Sequence, residues 1–551
     1  MHPCLAYPSA GRLARRLAGL AAALFAAAAQ AATPGITGTG GTGGTGASFD
    51  LVAAPGYVSQ PDGTSIYSWG YGCNTAPASG QFAPAAITKG TCAAGKMQLP
   101  GPTLIVTEGD SVTVTLHNNL PKAAGNTSIL FPGMDVSASG GSAGLLTQEA
   151  ANGGTVTYTF TARLPGTHSY FSGTQGDLQV EMGLYGALIV LPRTQANSAA
   201  CANPAMRQAQ VFDRGSGTPG DFRLANALYD NAQACYDREY LFQFSEIDPT
   251  IHRQALEQVT RFAGCTQPTG CMVINTEPYH AVYFLINGRS MPDIGDPNYA
   301  PQYPAQPYNG NPHMHPGEYT LVRVVGQGRM QHPFHKHGNH VRVLARDGNP
   351  ILSKADGSGA PDLVNGKLAG PLLFTTTTTP GQTVDVLFQW TAKGLGWDVY
   401  AHTSDTPDST AVEGGGGAPC VPDANGFYTA DPTAPNFYEW CADHKKPLEA
   451  KPFGTVGAGG PVTLPDPNIT ALGAWYSGSP YMGPDANARS VGLTPIPPFG
   501  TIANDPGSEA GFAYMWHSHN EREITTNNVF PGGMMMMMLV DPWVFLIDET
   551  N

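Results

Sequence analysis

The stretch Pro102-Thr-Leu-Ile-Val-Thr107, Glu108-Gly-Asp110, Ser111-Val-Thr-Val-Thr-Leu-His117-Asn-Asn119 decides the fold class. Two runs rich in β-branched residues flank a charged turn with glycine at its centre, and the second run alternates between polar and apolar positions. Period-two alternation is the mark of a strand with one buried face, and the turn between the runs reads as that of a β-hairpin. Comparable runs return at Gly154-Thr-Val-Thr-Tyr-Thr-Phe160, Glu239-Tyr-Leu-Phe-Gln-Phe-Ser-Glu246, Val384-Asp-Val-Leu-Phe388 and Phe512-Ala-Tyr-Met-Trp-His517. The chain is therefore expected to be all-β.

Composition agrees. Of 551 residues, 68 are Gly and 48 are Pro, and only 13% are charged, which suits loop-rich sandwiches and not helical bundles. A formal charge of -14 argues against nucleic acid or an anionic membrane as partner and is compatible with a protein that attracts cations. Arg12, Arg15 and Arg16 precede an apolar run from Leu17 to Ala29, and Ala29-Gln30-Ala31 offers a small-residue cleavage site. Residues 1–31 thus read as a secretory signal peptide, which places the mature chain in the periplasm or outside the cell. No later apolar run reaches about 18 residues, so no membrane span is expected.

Past the signal, eight cysteines remain, an even number that suits disulfides in an exported protein. Sequence neighbours suggest Cys73 with Cys92, Cys201 with Cys235, Cys265 with Cys271 and Cys420 with Cys441, although other connectivities stay open. Residues 32–47 form a Gly/Thr-rich lead whose composition suggests flexibility. A strand-rich unit of one-domain size spans 48–195, a polar linker 196–238, and a second unit 239–551. Within the second unit, Asp248 to Phe262 has room for a short helix, and residues 403–510 form a Gly- and Pro-rich insertion. A loop of that length is usually functional or has structure of its own, and here it is expected to project over one end of the sandwich.

Function points to two histidine segments, His332-Pro-Phe-His335-Lys-His337-Gly-Asn-His340 and Trp516-His517-Ser518-His519. His335 with His337, and His517 with His519, stand at i, i+2 spacing, so each pair shares one face of a strand. Four imidazoles from two strands suit copper or zinc. His313-Met314-His315 reads as a solvated loop. The run Met534 to Met538 has thioethers that suit Cu(I), yet alternation along a strand would split it between two faces, and an adaptable core explains it as well.

The residues Pro100-Gly-Pro-Thr103, Glu108-Gly-Asp110, His117-Asn-Asn119, Gly166-Thr167 and Gly183-Leu-Tyr-Gly186 resemble the first cupredoxin domain of the multicopper oxidases. Ile286-Asn-Gly288 and Pro316 to Val325, leading into His332–His340, resemble their last domain. The resemblance implies tandem cupredoxin-like Greek-key β-sandwich domains, with the insertion in the second. It implies that His332 corresponds to a type 1 copper ligand, and that His335, His337, His517 and His519 correspond to ligands of the type 2 and type 3 coppers. The departures are equally specific. Ser518 stands where the family has the type 1 cysteine and Glu523 where it has the second type 1 histidine. Ser128–Gly133 and Tyr170–Gly173 stand where the first domain has its four cluster histidines. His168, on the other face of its strand from Phe171 and Gly173, reads as an ordinary edge histidine.

Serine cannot supply the thiolate of a blue-copper site. The resemblance therefore implies a copper-binding oxidoreductase with a type 2-like mono- or binuclear site, not laccase chemistry. The metal residues would be His335, His337, His517 and His519, with His332 the least secure. Glu523 or Glu521 would handle protons, and dioxygen and a small reductant would be the partners. A homotrimer with sites shared between subunits is compatible with two-domain relatives. The alternatives are a non-catalytic copper carrier or store and a cupredoxin-scaffold interaction protein.

Overall fold

The computed structural model describes residues 33–40, 46–193 and 225–391 except 85, 86, 88, 226, 266, 268–270, 354–361 and 364; it also describes 421–430, 440, 442, 478–481, 511–540 and 547. Two β-sandwiches pack side by side. One sheet of the first runs Gly166–Phe171, Tyr185–Leu191, Leu104–Thr107, Gly35–Thr37 and Phe82–Ala83 in spatial order. The facing sheet runs Ser65–Cys73, Ala47–Ser59, Ser111–Asn118, Thr155–Thr161 and Ser137–Gly140.

The opening stretch thus forms two strands, but they are not a hairpin. Leu104–Thr107 and Ser111–Asn118 belong to opposite sheets, and Leu104 and Val106 meet Val112, Val114 and Leu116 across the core instead of along a ladder. The turn between them is an arch. Gly109 takes φ 85°, Asp110 Oδ2 accepts from the Thr107 N–H at 2.9 Å, and the Glu108 and Gly109 N–H groups donate to Leu191 and Ala162, one at the end of each sheet. Alternation within a strand is the same for an arch and a hairpin, so the pattern alone does not separate them. The lead also differs from its composition. Gly35–Thr37 pairs with Leu104–Thr107 and Phe82–Ala83, and Ile36 is buried, because three residues suffice to extend a sheet.

In the second sandwich one sheet runs Tyr283–Ile286, Arg238–Ile247, Tyr319–Gly326, Thr383–Gln389, Val341–Arg346 and Asn349–Pro350, with Leu372–Leu373 also paired to Val341–Arg346. The other runs His313–Met314, Met535–Val540, Gly511–Ser518, His332–Lys336 and Thr375–Thr378. Arg238–Ile247 is buried along its whole length, as a strand covered on both faces must be. Its outer face and its neighbours meet the first sandwich. Ile247, Tyr283 and Leu285 pack with Val52, Val58, Leu99 and Tyr185, while Arg323 pairs with Glu239 at 2.9 Å and its Nη1 donates to Thr167 Oγ1 at 3.1 Å.

The expected helix forms at Pro249–Arg261. Pro249 needs no amide partner at the first helical position, and the Asp248 carboxylate accepts from the Thr250 N–H at 2.8 Å. Ile251, Ala255 and Val259 recur on one face and enter the core of the first sandwich. Asp248 also accepts from the His280 N–H. Asp248→Ala is therefore expected to lower unfolding free energy by about 1–2 kcal/mol, read as a shift of the urea midpoint at constant slope.

Cys73–Cys92 and Cys265–Cys271 are bonded as expected. Cys235 is disulfide-bonded too. Its expected partner Cys201 and the Cys420–Cys441 pair lie outside the described residues. Of the 403–510 insertion, Gly478–Tyr481 pairs antiparallel with the first half of Gly511–Ser518, on the edge that His332–Lys336 takes in the second half. Most of the rest of the insertion falls outside the described residues.

Candidate metal centre

The histidine segments are neighbouring antiparallel strands, and their register decides which side chains meet. His335 stands opposite His517, Phe334 opposite Ser518 and Lys336 opposite Trp516. Alternation puts His335, His337, His517 and His519 on the outer face of this sheet. His332, Phe334, Lys336, Trp516 and Ser518 lie on the inner face, against the sandwich core. Phe334, Trp516 and Ser518 are fully buried, and Trp516 Nε1 donates to the His337 carbonyl at 3.0 Å, which ties the two strands together from within.

The four rings form one cluster. Centroids lie 5.0 Å apart for His335 and His337, 5.6 Å for His335 and His517, 4.6 Å for His335 and His519, and 5.1 Å for His337 and His517. His517 Nδ1 donates to the Ser518 carbonyl at 2.7 Å, so its Nε2 carries the lone pair, 3.3 Å from His337 Nε2. Thr375 Oγ1 fixes His335 Nδ1 at 2.7 Å. His335, His337 and His517 are buried, whereas the His519 side chain is 52% exposed. Burial, then the neighbouring His337, His519 and His517, push the His335 pKa down to about 3, and burial lowers that of His517. Both rings are therefore neutral imidazoles at ordinary pH, the form that binds metal.

As the rings stand, no group of three or more His, Cys, Asp or Glu side chains among the described residues is arranged to hold a metal ion. The donor set itself fits copper: four imidazoles on one face, two with Nδ1 held by an oxygen, as second-shell orientation of a metal ligand requires.

The inner face holds something else. His332 is fully buried, with Nδ1 2.8 Å from Glu523 Oε2 and Nε2 2.9 Å from Glu246 Oε2. Both nitrogens donate, so the ring is an imidazolium. Burial opposes that charge, but the bonds to Glu246 and Glu523 outweigh it and lift the pKa to about 9. Ser518 Oγ donates to Glu523 Oε2 at 2.5 Å, and Asn520 Nδ2 to Oε1 at 2.8 Å. Glu246 Oε1 accepts from the Arg329 and Met330 N–H groups at 2.6 and 2.9 Å. Each buried carboxylate is thus hydrogen-bonded on both oxygens, as a charge in the interior must be.

This arrangement corrects two expectations. His332 is not available as a metal ligand, because both ring nitrogens are held by carboxylates. Glu523 does not stand among the imidazoles, because its carboxylate is buried on the inner face. Glu521 is exposed, with Oε1 3.7 Å from His519 Nδ1. Glu246 was not singled out in the sequence. The available signal was an acid directly after the run Tyr240–Ser245, in phase with Phe242 and Phe244 on the apolar face of the strand. His313 and His315 are buried, not solvated. Tyr240 contacts the His313 backbone, and the His315 N–H donates to Glu318. His168 lies on an edge strand, as expected, but is buried, with Nε2 2.9 Å from the Leu164 carbonyl.

Tandem β-sandwiches of this topology define the cupredoxin-like class of fold. Residues 78–195 and 275–404 each match a family model described as multicopper oxidase. Laccase 1 of Metarhizium acridum (strain CQMa 102) is 36% identical over 99 residues, covering 17% of this chain and 15% of that protein. Multicopper oxidase CTB12 of Cercospora beticola is 34% identical over 198 residues, covering 31% of this chain and 30% of that protein. The matched segments thus span less than a third of either relative. Among solved structures, the multicopper oxidase mgLAC aligns over 90% of this chain and 85% of its own at 14% identity and a TM-score of 0.43. A blue copper oxidase from Nitrosomonas europaea aligns over 89% and 85% at 15% identity and a TM-score of 0.42. The chain belongs to the multicopper oxidase (cupredoxin) superfamily, and copper is the cofactor that membership implies. No helix among the described residues is long and apolar enough to cross a membrane.

Proposed function

We propose that this is an exported copper protein whose outer-face imidazoles hold one copper or a close pair in a type 2-like site, and that it is an oxidoreductase without laccase chemistry. The observation that carries the reading is the division between the two faces of one sheet. Four imidazoles share the outer face, while the inner face presents Ser518 and the imidazolium of His332 where a thiolate and a neutral imidazole would be required for a type 1 site. The N-terminal arginines and apolar run, together with the disulfides, support export.

His335, His337, His517 and His519 would hold the metal, which when bound supplies one-electron redox chemistry toward dioxygen and a small reductant. The protein's part is orientation and protonation. Thr375 and the Ser518 carbonyl fix two rings, and burial keeps His335 unprotonated. The exposed Glu521 carboxylate, 3.7 Å from His519, would pass protons between solvent and the face.

Dioxygen uptake driven by ascorbate, measured on copper-loaded protein after unbound copper is removed, tests the reading. Uptake that the His335→Ala variant lacks is expected. Firm copper binding with no uptake would instead make the protein a carrier or store.

A further inference from the structure

The methionine run divides by face. Met534, Met536 and Met538 are buried in the core of the second sandwich. Met535 and Met537 point the other way, and register carries them onto the imidazole face. Met535 stands directly opposite His517, and Met537 directly opposite Met515. Met515 in turn lies opposite His337, whose N–H donates to the Met515 carbonyl at 3.3 Å. The outer face therefore carries two continuous rows across three strands: His335, His517 and Met535 in one, His337, Met515 and Met537 in the other. Directly opposed residues place their Cβ atoms about 4.5–5.5 Å apart, within reach of a flexible thioether.

Core packing explains the inner methionines, and Met535 is buried as well, against His517, but core packing does not explain Met515 or Met537. Met515 is half-buried and Met537 is 40% exposed, a placement that leaves apolar surface in water on the same face as the half-exposed His519. Thioethers are soft, neutral donors that prefer Cu(I) to Cu(II) or Zn(II), whereas imidazole accepts all three. We infer that Met515, Met535 and Met537 form a Cu(I)-selective thioether site continuous with the imidazole cluster, through which reduced copper is taken up or held. The imidazole end of that continuity rests on the copper reading proposed above. The thioether site itself stands on the register of all three methionines and on the accessibility of Met515 and Met537.

The test uses the full mature chain and a Met515→Leu/Met535→Leu/Met537→Leu variant, since Leu matches Met closely in volume and usually costs less than about 1.5 kcal/mol per site. Anaerobic titration with Cu(I) against a competing chelator reads affinity. Ag(I), a spectroscopically silent stand-in for Cu(I), is added to methionine-methyl-labelled protein and followed by NMR. The expected result is a fall in Cu(I) affinity of roughly tenfold or more in the variant with a much smaller change in Cu(II) affinity, the size of effect that loss of metal-site groups produces. In the wild type, Ag(I) shifts the methyls of Met515, Met535 and Met537 and leaves those of Met534, Met536 and Met538 in place. Equal Cu(I) affinity in the two proteins, or shifts spread over all six methyls, overturns the thioether site whatever Cu(II) does. A wild type that binds Cu(I) with the three selective shifts but takes up no Cu(II) overturns the imidazole reading and leaves the thioether site standing.

Discussion

Replacing His332 with phenylalanine is expected to destabilise the protein by about 3–5 kcal/mol, the range for removing one partner of a buried ion pair. The ring is the shared cation of Glu246 and Glu523, both fully buried, and without it two carboxylates face each other with no counter-charge. Phenylalanine fills the space, so the loss is electrostatic and not a cavity effect. Glu246 is already raised above the ordinary glutamate range, by burial against the opposing bond to His332. In the variant it is expected to take up a proton at a higher pH still. The wild type should show a matching pH dependence. A histidine held at about 9 in the native state, against an ordinary 6.5, binds its proton more tightly folded than unfolded. Its contribution is complete below 6.5 and lost as pH rises through 9, with a total of about 3 kcal/mol. Urea midpoints at pH 6.5 and 9.5 should differ accordingly in the wild type. His332→Phe should remove this histidine's share of the decline.

The second large effect concerns the outer face. His335→Ala/His517→Ala removes a directly opposed pair from the centre of the cluster, and copper affinity is expected to fall by more than roughly 100-fold, since loss of a mere second-shell partner costs about 10–100-fold. The fold should survive. These rings lie on the opposite face from Trp516 and Phe334, which join the strands to the core. Equilibrium dialysis of variant and wild type against buffered copper, with circular dichroism as the control for folding, checks both halves of this expectation.

Much of this was legible in the sequence because it is local. Period-two runs marked the strands, Asp248 and Pro249 marked the helix start, and the i, i+2 histidines marked a shared face. Ser518 between His517 and His519 was equally plain to read. What was not legible depends on pairings distant along the chain. Whether Leu104–Thr107 joins Ser111–Asn118 in a ladder or crosses to the other sheet is settled by Leu191 and Ala162, which receive the turn's amides. That His332 is an imidazolium follows from Glu246, 86 residues upstream. The split of the methionine run was foreseeable from alternation, but its union with His517 and Met515 required the register of a third strand.

Metal content combined with electron paramagnetic resonance on protein loaded with copper decides whether the outer-face imidazoles form a copper site without a type 1 centre. One to two coppers per chain, a type 2 signal and no intense blue absorption band are the predicted result. A blue band with a type 1 signal would rule this site out, as would a chain that binds no copper and behaves identically to its His335→Ala/His519→Ala variant.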